Sequence, residues 1–369
     1  MLFCYTVMKM KIAIVGPSHP YKGGISQHTT RLAQHLSDAG NIVEIISWRT
    51  QYPFFYPGIK TVPNNQPEQP LFKTNRRVMS WKNPLGWIVW ARYLRQFDKV
   101  IFIWWVPTIQ GPIYYSMIKA MGKTRPEIEL ICHNIVSHSA SPLDRKFTSK
   151  VFNVVDKLIV HTKDMAKQAR SFTSNPIDVV KMPAHLPGNP KLQDNTLGLN
   201  NSLLFFGMVR HYKGVDILIQ ALAKTPGVKL VVAGEMWGSQ ETKLRSQIKG
   251  LNLTDRIKLL PSYVAVEDIP KLFADCDAIV MPYRSGTASQ TAEMAFAYGR
   301  PVISTNVGSM PSQIKNKING ILCAANDVES LTEAIMFFYK PGIAKKLRDN
   351  IVQINPENDW RRYIQVLIK

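Results

Sequence analysis

Short apolar runs alternate along the whole chain with stretches whose apolar positions recur at helical spacing. This alternation predicts parallel strands covered by helices. In the first half the pattern places strands at 11–16, 41–47, 99–104, 129–132 and 157–161. In the second half it places them at 202–206, 228–233, 256–260, 278–281 and 301–304. The stretch MPAHLPGNPKLQDNTLGLN at 182–200 has no period and is rich in Pro, Gly and Asn, the composition of a linker. The expected layout is an N-terminal Rossmann-like domain at 1–183, a linker at 184–200, a second Rossmann-like domain at 201–352 and a C-terminal helix at 353–369 that crosses back to the first domain. Open parallel sheets bind ligands at the carboxyl ends of their strands, so two such domains are expected to face a central cleft. There is no internal repeat and no low-complexity tract.

The length of 369 residues suits two cores, and the 45% hydrophobic content is that of an ordinary globular protein. The four cysteines, Cys4, Cys132, Cys276 and Cys323, are scattered and form no C-x-x-C pair. That spacing disfavours a zinc site or a disulfide framework and fits a reducing compartment. The opening MLFCYTVMKMKIAIVG has too short an apolar stretch for a secretory leader, and Met8 and Met10 are alternative starts. No apolar run reaches the roughly 18 residues that span a bilayer. The expected location is cytoplasmic, with peripheral contact at the inner face of the plasma membrane. Net charge is +20. Residues 1–183 hold 24 Lys and Arg against 10 Asp and Glu, and the remainder holds 22 against 16, so the excess is +14 and then +6. Such a field attracts phosphates, acidic lipid headgroups or nucleic acid without choosing among them.

Candidate chemistry falls where strands give way to helices. After the first strand the chain runs PSHPYKGGISQH, and Gly23-Gly24 opens a helix. Two glycines admit a ligand close to the backbone, and a helix start offers free N–H groups to an anion; a plain tight turn accounts for them as well. The segment is not G-x-G-x-x-G, which disfavours a nicotinamide cofactor. In LLFFGMVRHYKGV a buried strand leads to Arg210 and Lys213, two cations placed to neutralise a diphosphate without a metal, or simply two solvated loop cations. In SGTASQTAEMAFAYGRP small residues lead into a helix whose N-cap, Ser289, has a hydroxyl and helix-end N–H groups to offer phosphate, or acts only as a cap. In LICHNIVSH, His133 stands at a strand end, with Asn134 beside it and His138 five residues on. A histidine there suits proton transfer or a hydrogen bond to a sugar hydroxyl, although isolated histidines are commonly structural.

Taken in order, these segments resemble the retaining GT-B glycosyltransferases of family 4. The similarity is to the bacterial subgroup with a G-P-x-x-P-[YF]-[KR]-G-G loop (here Gly16 to Gly24), W-W-x-P (Trp104 to Pro107), H-N-x-x-x-H-x-x-S-P-L-D (His133 to Asp144) and R-x-Y-K-G (Arg210 to Gly214). The stretch Ala233-Gly234-Glu235-Met236-Trp237, Pro282-Tyr283 and Asn319-Gly320 are similar too. The resemblance covers nearly the whole chain. It implies a metal-independent hexosyltransferase that uses a nucleotide-diphosphate sugar as donor substrate, needs no cofactor and acts on a glycan or lipid-linked acceptor in cell-envelope glycan synthesis. By the same resemblance Arg210 and Lys213 hold the diphosphate, and His133 meets the donor sugar. Gly23 and Gly24 line the diphosphate, Tyr263 lies by the nucleobase, Ser289 and Glu293 serve the donor, and Asn134 and His138 lie on the acceptor side. The family's mechanism is front-face, with the leaving phosphate helping to deprotonate the acceptor.

Two departures stand out. The family's E-x7-E glutamates would fall on Gly286 and Met294, and Glu293 is one residue off, a rotation of roughly 100° on a helix. The family's arginine five residues before the lysine would fall on Met208, with Arg210 as the substitute. Asp275-Cys276-Asp277 is formally D-x-D, but it precedes a strand instead of following one and reads as chance. The segment FKTNRRVMSWKNPLGWIVWARYLRQFDK at 72–99 interleaves tryptophans with cations. It reads as a Rossmann helix with an apolar side in the core, as a basic face lying on an anionic membrane, or as both. Other readings are a sugar-nucleotide epimerase or phosphorylase on the same fold, and a non-catalytic anion-binding or nucleic-acid-binding protein. The lack of an RRM-like or helix-turn-helix pattern speaks against nucleic acid.

Overall fold

The computed structural model describes residues 9–51, 72–136, 141–183, 199–286, 289–351 and 356–368. His138 and nearly all of the expected linker lie outside the described residues. The chain divides into two compact units, Met1–Pro183 with Glu357–Lys369, and Ala184–Pro356.

In the first unit the elements are β1 (Lys11–Val15), α1 (Gly24–Asp38), β2 (Ile42–Thr50), β3 (Asn75–Ser80), α2 (Pro84–Leu94), β4 (Lys99–Trp104), α3 (Pro107–Met121), β5 (Glu127–Cys132), α4 (Pro142–Phe152), β6 (Lys157–Val160), α5 (Lys163–Arg170) and β7 (Ile177–Val179). The second unit has β8 (Ser202–Phe206), α6 (Val215–Ala223), β9 (Lys229–Ala233), α7 (Gln240–Gly250), β10 (Ile257–Leu260), α8 (Ile269–Ala274), β11 (Ala278–Met281), α9 (Gln290–Ala297), β12 (Val302–Thr305), α10 (Met310–Gln313), β13 (Gly320–Cys323), α11 (Val328–Phe338) and α12 (Ile343–Asp349). The chain ends with α13 (Pro356–Leu367).

Both sheets are parallel, in the orders β3-β2-β1-β4-β5-β6-β7 and β10-β9-β8-β11-β12-β13. Strands at the middle of each sheet are nearly continuous runs of buried Ile, Val, Leu and Phe, as a sheet covered on both faces requires. Right-handed crossovers put α1 on one face of the first sheet and the helices of the rightward connections on the other. There α2, α3 and α4 pack side by side.

The α1 face is completed by the end of the chain. Trp360, Tyr363, Ile364 and Leu367 of α13 recur at i, i+3, i+4 and i+7 and are buried in the first unit's core. The Trp360 indole stacks on His35 at 4.5 Å and on His28 at 5.5 Å, both from α1. At the other end of α13 the Lys99 ammonium donates to the Leu367 carbonyl at 2.6 Å and to Glu129 Oε1 at 2.9 Å, and the Lys157 ammonium reaches the same carboxylate oxygen at 2.7 Å. A cation at the last carbonyls of a helix both caps it and complements its dipole.

Three strands fall outside the sequence pattern, β3, β7 and β13, and each forms an edge of its sheet. The 72–99 segment is a strand carrying Arg76 and Arg77 followed by a helix, α2, whose Trp87 and Trp90 pack against the core, as the helix reading expects. Ser141 to Asp144, the tail of the His-Asn segment, forms a reciprocal capping box that starts α4. Asp277 is structural. It accepts hydrogen bonds from the backbone N–H groups of Asn200 at 3.0 Å and Ser202 at 2.9 Å and from the Tyr339 hydroxyl at 3.1 Å, at the amino end of β11.

Because Trp360 is 1% exposed and joins the chain's end to α1, Trp360→Ala should destabilise the first unit by about 3–5 kcal/mol. Urea unfolding followed by circular dichroism measures this; a change below about 0.5 kcal/mol, the size of an ordinary surface substitution, contradicts it.

Candidate functional site

In the second unit the loops after β8 and β9 are zipped together. Gly207 N–H donates to the Ala233 carbonyl and Val209 N–H to the Glu235 carbonyl, each at 2.9 Å. A Cβ on Gly234 (φ +146°) would collide with the Gly207 carbonyl, so only glycine allows this approach. The pairing brings Trp237 under Arg210, whose guanidinium carbon lies 3.3 Å from the indole centre. A planar guanidinium stacked on an aromatic face is held in one orientation by that face.

A 3-10 turn, His211–Lys213, follows and ends at Gly214 in the left-handed region (φ +66°). A Cβ on Gly214 would run into the Pro282 carbonyl, so the turn is pressed onto the loop after β11. Arg284 locks it there. Its guanidinium donates to both oxygens of Asp216, at 2.9 and 2.6 Å, and to the His211 carbonyl at 2.7 Å. The Arg284 contact holds the Asp216 carboxyl below its usual range against the opposing effect of burial.

Lys213 is directed inward by this turn. Its ammonium lies over Gly207, 5.9 Å from the Phe205 ring centre and 5.6 Å from that of Tyr283. Burial is the main cause lowering its pKa, with Arg210 adding to it and Tyr212 opposing. No carboxylate among the described residues pairs with Lys213. Tyr283 extends the arrangement: the side chains of Ser289 and Thr291 at the start of α9 act on its hydroxyl, opposing the larger effect of burial, which raises its pKa. Arg210 thus rests on Trp237, and Lys213 lies beside Tyr283, which leads to the Ser289 helix start; the sequence shows both aromatics only as parts of motifs.

Ser289 is the N-cap of α9, and its hydroxyl accepts the Thr291 N–H at 3.2 Å. Gln313 of α10 steadies it: Oε1 accepts the Ser289 N–H at 2.8 Å, and Nε2 donates to Glu293 Oε1 at 3.2 Å. Glu293, expected to serve the donor, is 6% exposed and meets Gln313 instead of solvent. Tyr263 is half-buried in the loop after β10, again at the carboxyl end of the sheet.

The remaining candidates are in the first unit. Gly23 (φ +106°) is the N-cap of α1, and a Cβ on Gly23 or Gly24 would meet nothing within 4 Å. Gly23 is thus set by its backbone angle, whereas nothing within 4 Å crowds Gly24. His133 follows β5, and its N–H donates to the Trp104 carbonyl at 2.9 Å. Asn134 Nδ2 donates to the Trp105 carbonyl at 3.3 Å, and Trp104 Nε1 to the Ile135 carbonyl at 3.2 Å. These bonds tie the W-W-x-P and His-Asn loops together, so Asn134 has a structural partner already.

The His133 ring lies 5.0 Å from His28, edge to face, and 5.4 Å from His161. Its Nε2 is buried and has no hydrogen-bond partner. Burial, with a smaller contribution from the two neighbouring imidazoles, holds its pKa well below the usual histidine value. His133 is therefore neutral at pH 7 and suited to hydrogen bonding rather than to carrying a proton. His161 Nδ1 is 3.2 Å from the Val180 carbonyl, which only accepts, so the proton sits on Nδ1.

The two Rossmann-like units have the fold of the GT-B glycosyltransferases. Residues 193–357, nearly the whole second unit, match the family model described as "Glycosyl transferases group 1". Among curated proteins, the D-inositol 3-phosphate glycosyltransferase of Mycobacterium marinum is 31% identical over 207 residues, which are 53% of this chain and 44% of that protein, so the match spans less than half of that relative. Among solved structures, sucrose-phosphate synthase from Thermosynechococcus elongatus superposes with a TM-score of 0.76 at 17% identity, covering 97% of this chain and 98% of that one. Anabaena HepE, solved with UDP, gives a TM-score of 0.72 at 16% identity over 97% and 99%, and has also been solved with UDP-glucose.

A pH dependence follows from the buried imidazoles. Burial lowers the His161 pKa to about 4, whereas an unfolded histidine titrates near 6.5. Between those values the unfolded chain binds more protons, so stability falls as pH drops through the window, by roughly 3 kcal/mol for His161 in full. Melting curves from pH 7.5 to 4.5 should show this fall, and His161→Phe should flatten it; an unchanged slope in the variant refutes the assignment.

Proposed function

We propose that this chain moves a hexose-type sugar from a nucleoside-diphosphate donor to a glycan or lipid-linked acceptor, with retention of anomeric configuration, as a step of cell-envelope glycan assembly on the cytoplasmic side of the membrane. The observation that carries this reading is the desolvated Lys213 ammonium beside Arg210, with no carboxylate paired to Lys213 among the described residues, at the carboxyl end of a strand that ends in Gly207. Two like charges held in that arrangement favour an anion, and a diphosphate supplies charge on both sides of its bridging oxygen. The family match over the second unit and the UDP-bound relative support the same donor class.

In this reading the bond from the anomeric carbon to the donor phosphate oxygen breaks, its electron pair leaves with the diphosphate, and the acceptor oxygen bonds to that carbon on the same face. Arg210 and Lys213 stabilise the charge that develops there, with the α9 start and Ser289 beside them, and no metal is required. The proton of the acceptor hydroxyl passes to the departing phosphate. His133, kept neutral, hydrogen-bonds the transferred sugar. Gly23 and Gly24 leave room at the α1 start for the diphosphate, Tyr263 meets the base, and Asn134 and His138 serve the acceptor. Glu293 acts through Gln313 on the α9 start.

A thermal-shift panel of UDP-, GDP- and ADP-sugars tests this. The correct donor at a hundredfold excess over its Kd should stabilise the chain by about 2.7 kcal/mol. The R210A/K213A variant should lose that shift and turnover together; a donor-dependent shift that survives the double substitution sinks the diphosphate assignment. The anomeric proton coupling of the product, read by NMR, reports retention or inversion.

A further inference from the structure

We infer that the outward face of α2 is a docking surface for an anionic lipid bilayer, an inference that rests on the proposed membrane-proximal acceptor for its purpose. Leu85, Ile88 and Val89 share one face of this helix at i, i+3 and i+4, and they are 76%, 40% and 60% exposed. Three large aliphatic side chains standing together in water mark an interaction surface rather than ordinary surface scatter. The inward side is accounted for separately: Ala91 and Leu94 are buried, and the Trp87 indole N–H donates to the Ser80 carbonyl at 2.7 Å.

The charge around this face selects the partner. Lys82 stands one turn before Leu85, and Arg92 one turn after Ile88 and Val89, so the apolar stripe is flanked by a cation at each end. From residue 72 to residue 97 there are six Lys and Arg and no Asp or Glu. Arg76 is paired with Glu44, and Arg77 lies 5.8 Å from the Tyr21 ring centre. Lys73, Lys82, Arg92 and Arg95 have no carboxylate partner among the described residues. The Lys82 ammonium lies 5.4 Å from the half-buried Trp81 ring, which adds an interfacial aromatic at the leading edge. An apolar stripe that inserts among acyl chains, a cationic rim that meets anionic headgroups and an adjacent tryptophan are the components of interfacial attachment. Among the described residues no helix is long and apolar enough to cross a membrane, so the attachment is peripheral.

Co-sedimentation of the full chain with vesicles tests the inference without donor or acceptor. Binding is expected to vesicles of phosphatidylcholine mixed with phosphatidylglycerol, weakly or not at all to phosphatidylcholine alone, and less at high salt. The variants L85S/V89S and K82E/R92E should each weaken that binding roughly tenfold or more, while the unliganded melting point and the donor-dependent thermal shift stay as in the parent. Equal binding to both vesicle types, no binding to either, or variants that bind like the parent would each overturn the inference. So would a dimer in size-exclusion light scattering that L85S/V89S dissolves, since a second copy would then own the face. Lipid binding that depends on α2 in a protein with no donor shift would uphold this surface and reject the sugar-transfer reading, so the two fail separately.

Discussion

A parallel sheet must be covered on both faces, and the fixed hand of its crossovers decides which face each helix reaches. That constraint shapes both units in the same way. In each sheet the first crossover helix, α1 or α6, lies on one face, while the connections that run the other way load the opposite face. The first face then needs a partner helix from later in the chain. In the second unit α11 returns beside α6. In the first unit α13 takes the equivalent place beside α1, contributed from the far end of the sequence. The buried Lys99 makes sense only in that light: it is the cation that Glu129 neutralises and the donor that the end of α13 requires.

Once the faces are filled, the carboxyl ends of the strands are left to loops, and close backbone approach sets their geometry. Gly234 against Gly207 and Gly214 against Pro282 are contacts that any side chain would prevent. They place the loops after β8, β9 and β11 in fixed relation, and the Arg284–Asp216 pair fastens the 3-10 turn to them. A cation loses rotamer freedom and hydration when it is held as Lys213 is held, and both costs are met by packing before any ligand arrives. The Lys213 charge is aimed by backbone contacts and aromatic rings, and among the described residues no carboxylate is paired with it.

How much of this was legible in the sequence depends on burial. The ranges 99–104, 202–206 and 278–281 match the strands β4, β8 and β11 because such central strands are uninterrupted apolar runs. The strands that escaped notice, NRRVMS, IDV and GILC, are the edges of their sheets, where one side of the strand lacks a neighbour and the apolar pattern thins out. The resemblance of ordered motifs supplied Arg210, Lys213 and Ser289. It could not supply Trp237 beneath Arg210 or Tyr283 between Lys213 and Ser289, because those contacts join loops that the sequence keeps far apart. Glu293 shows the converse: its spacing was read against a family pattern, and the fold buries its carboxylate against Gln313, a residue no spacing rule links to it.

The histidines show how the completed face reaches the site. His28 belongs to α1 and is 2% exposed, stacked on Trp360 of α13 and edge-on to His133. His161 stacks with Tyr363 of the same helix. The helix that closes the sheet thus also supplies part of the low-dielectric wall that keeps His133 and His161 uncharged. A neutral His133 donates or accepts a hydrogen bond without adding a positive charge to its surroundings. Burial pushes His133 and Lys213 in the same direction, toward the neutral form, but an imidazole starts close to neutral pH and an ammonium far above it, so the first loses its charge far more readily.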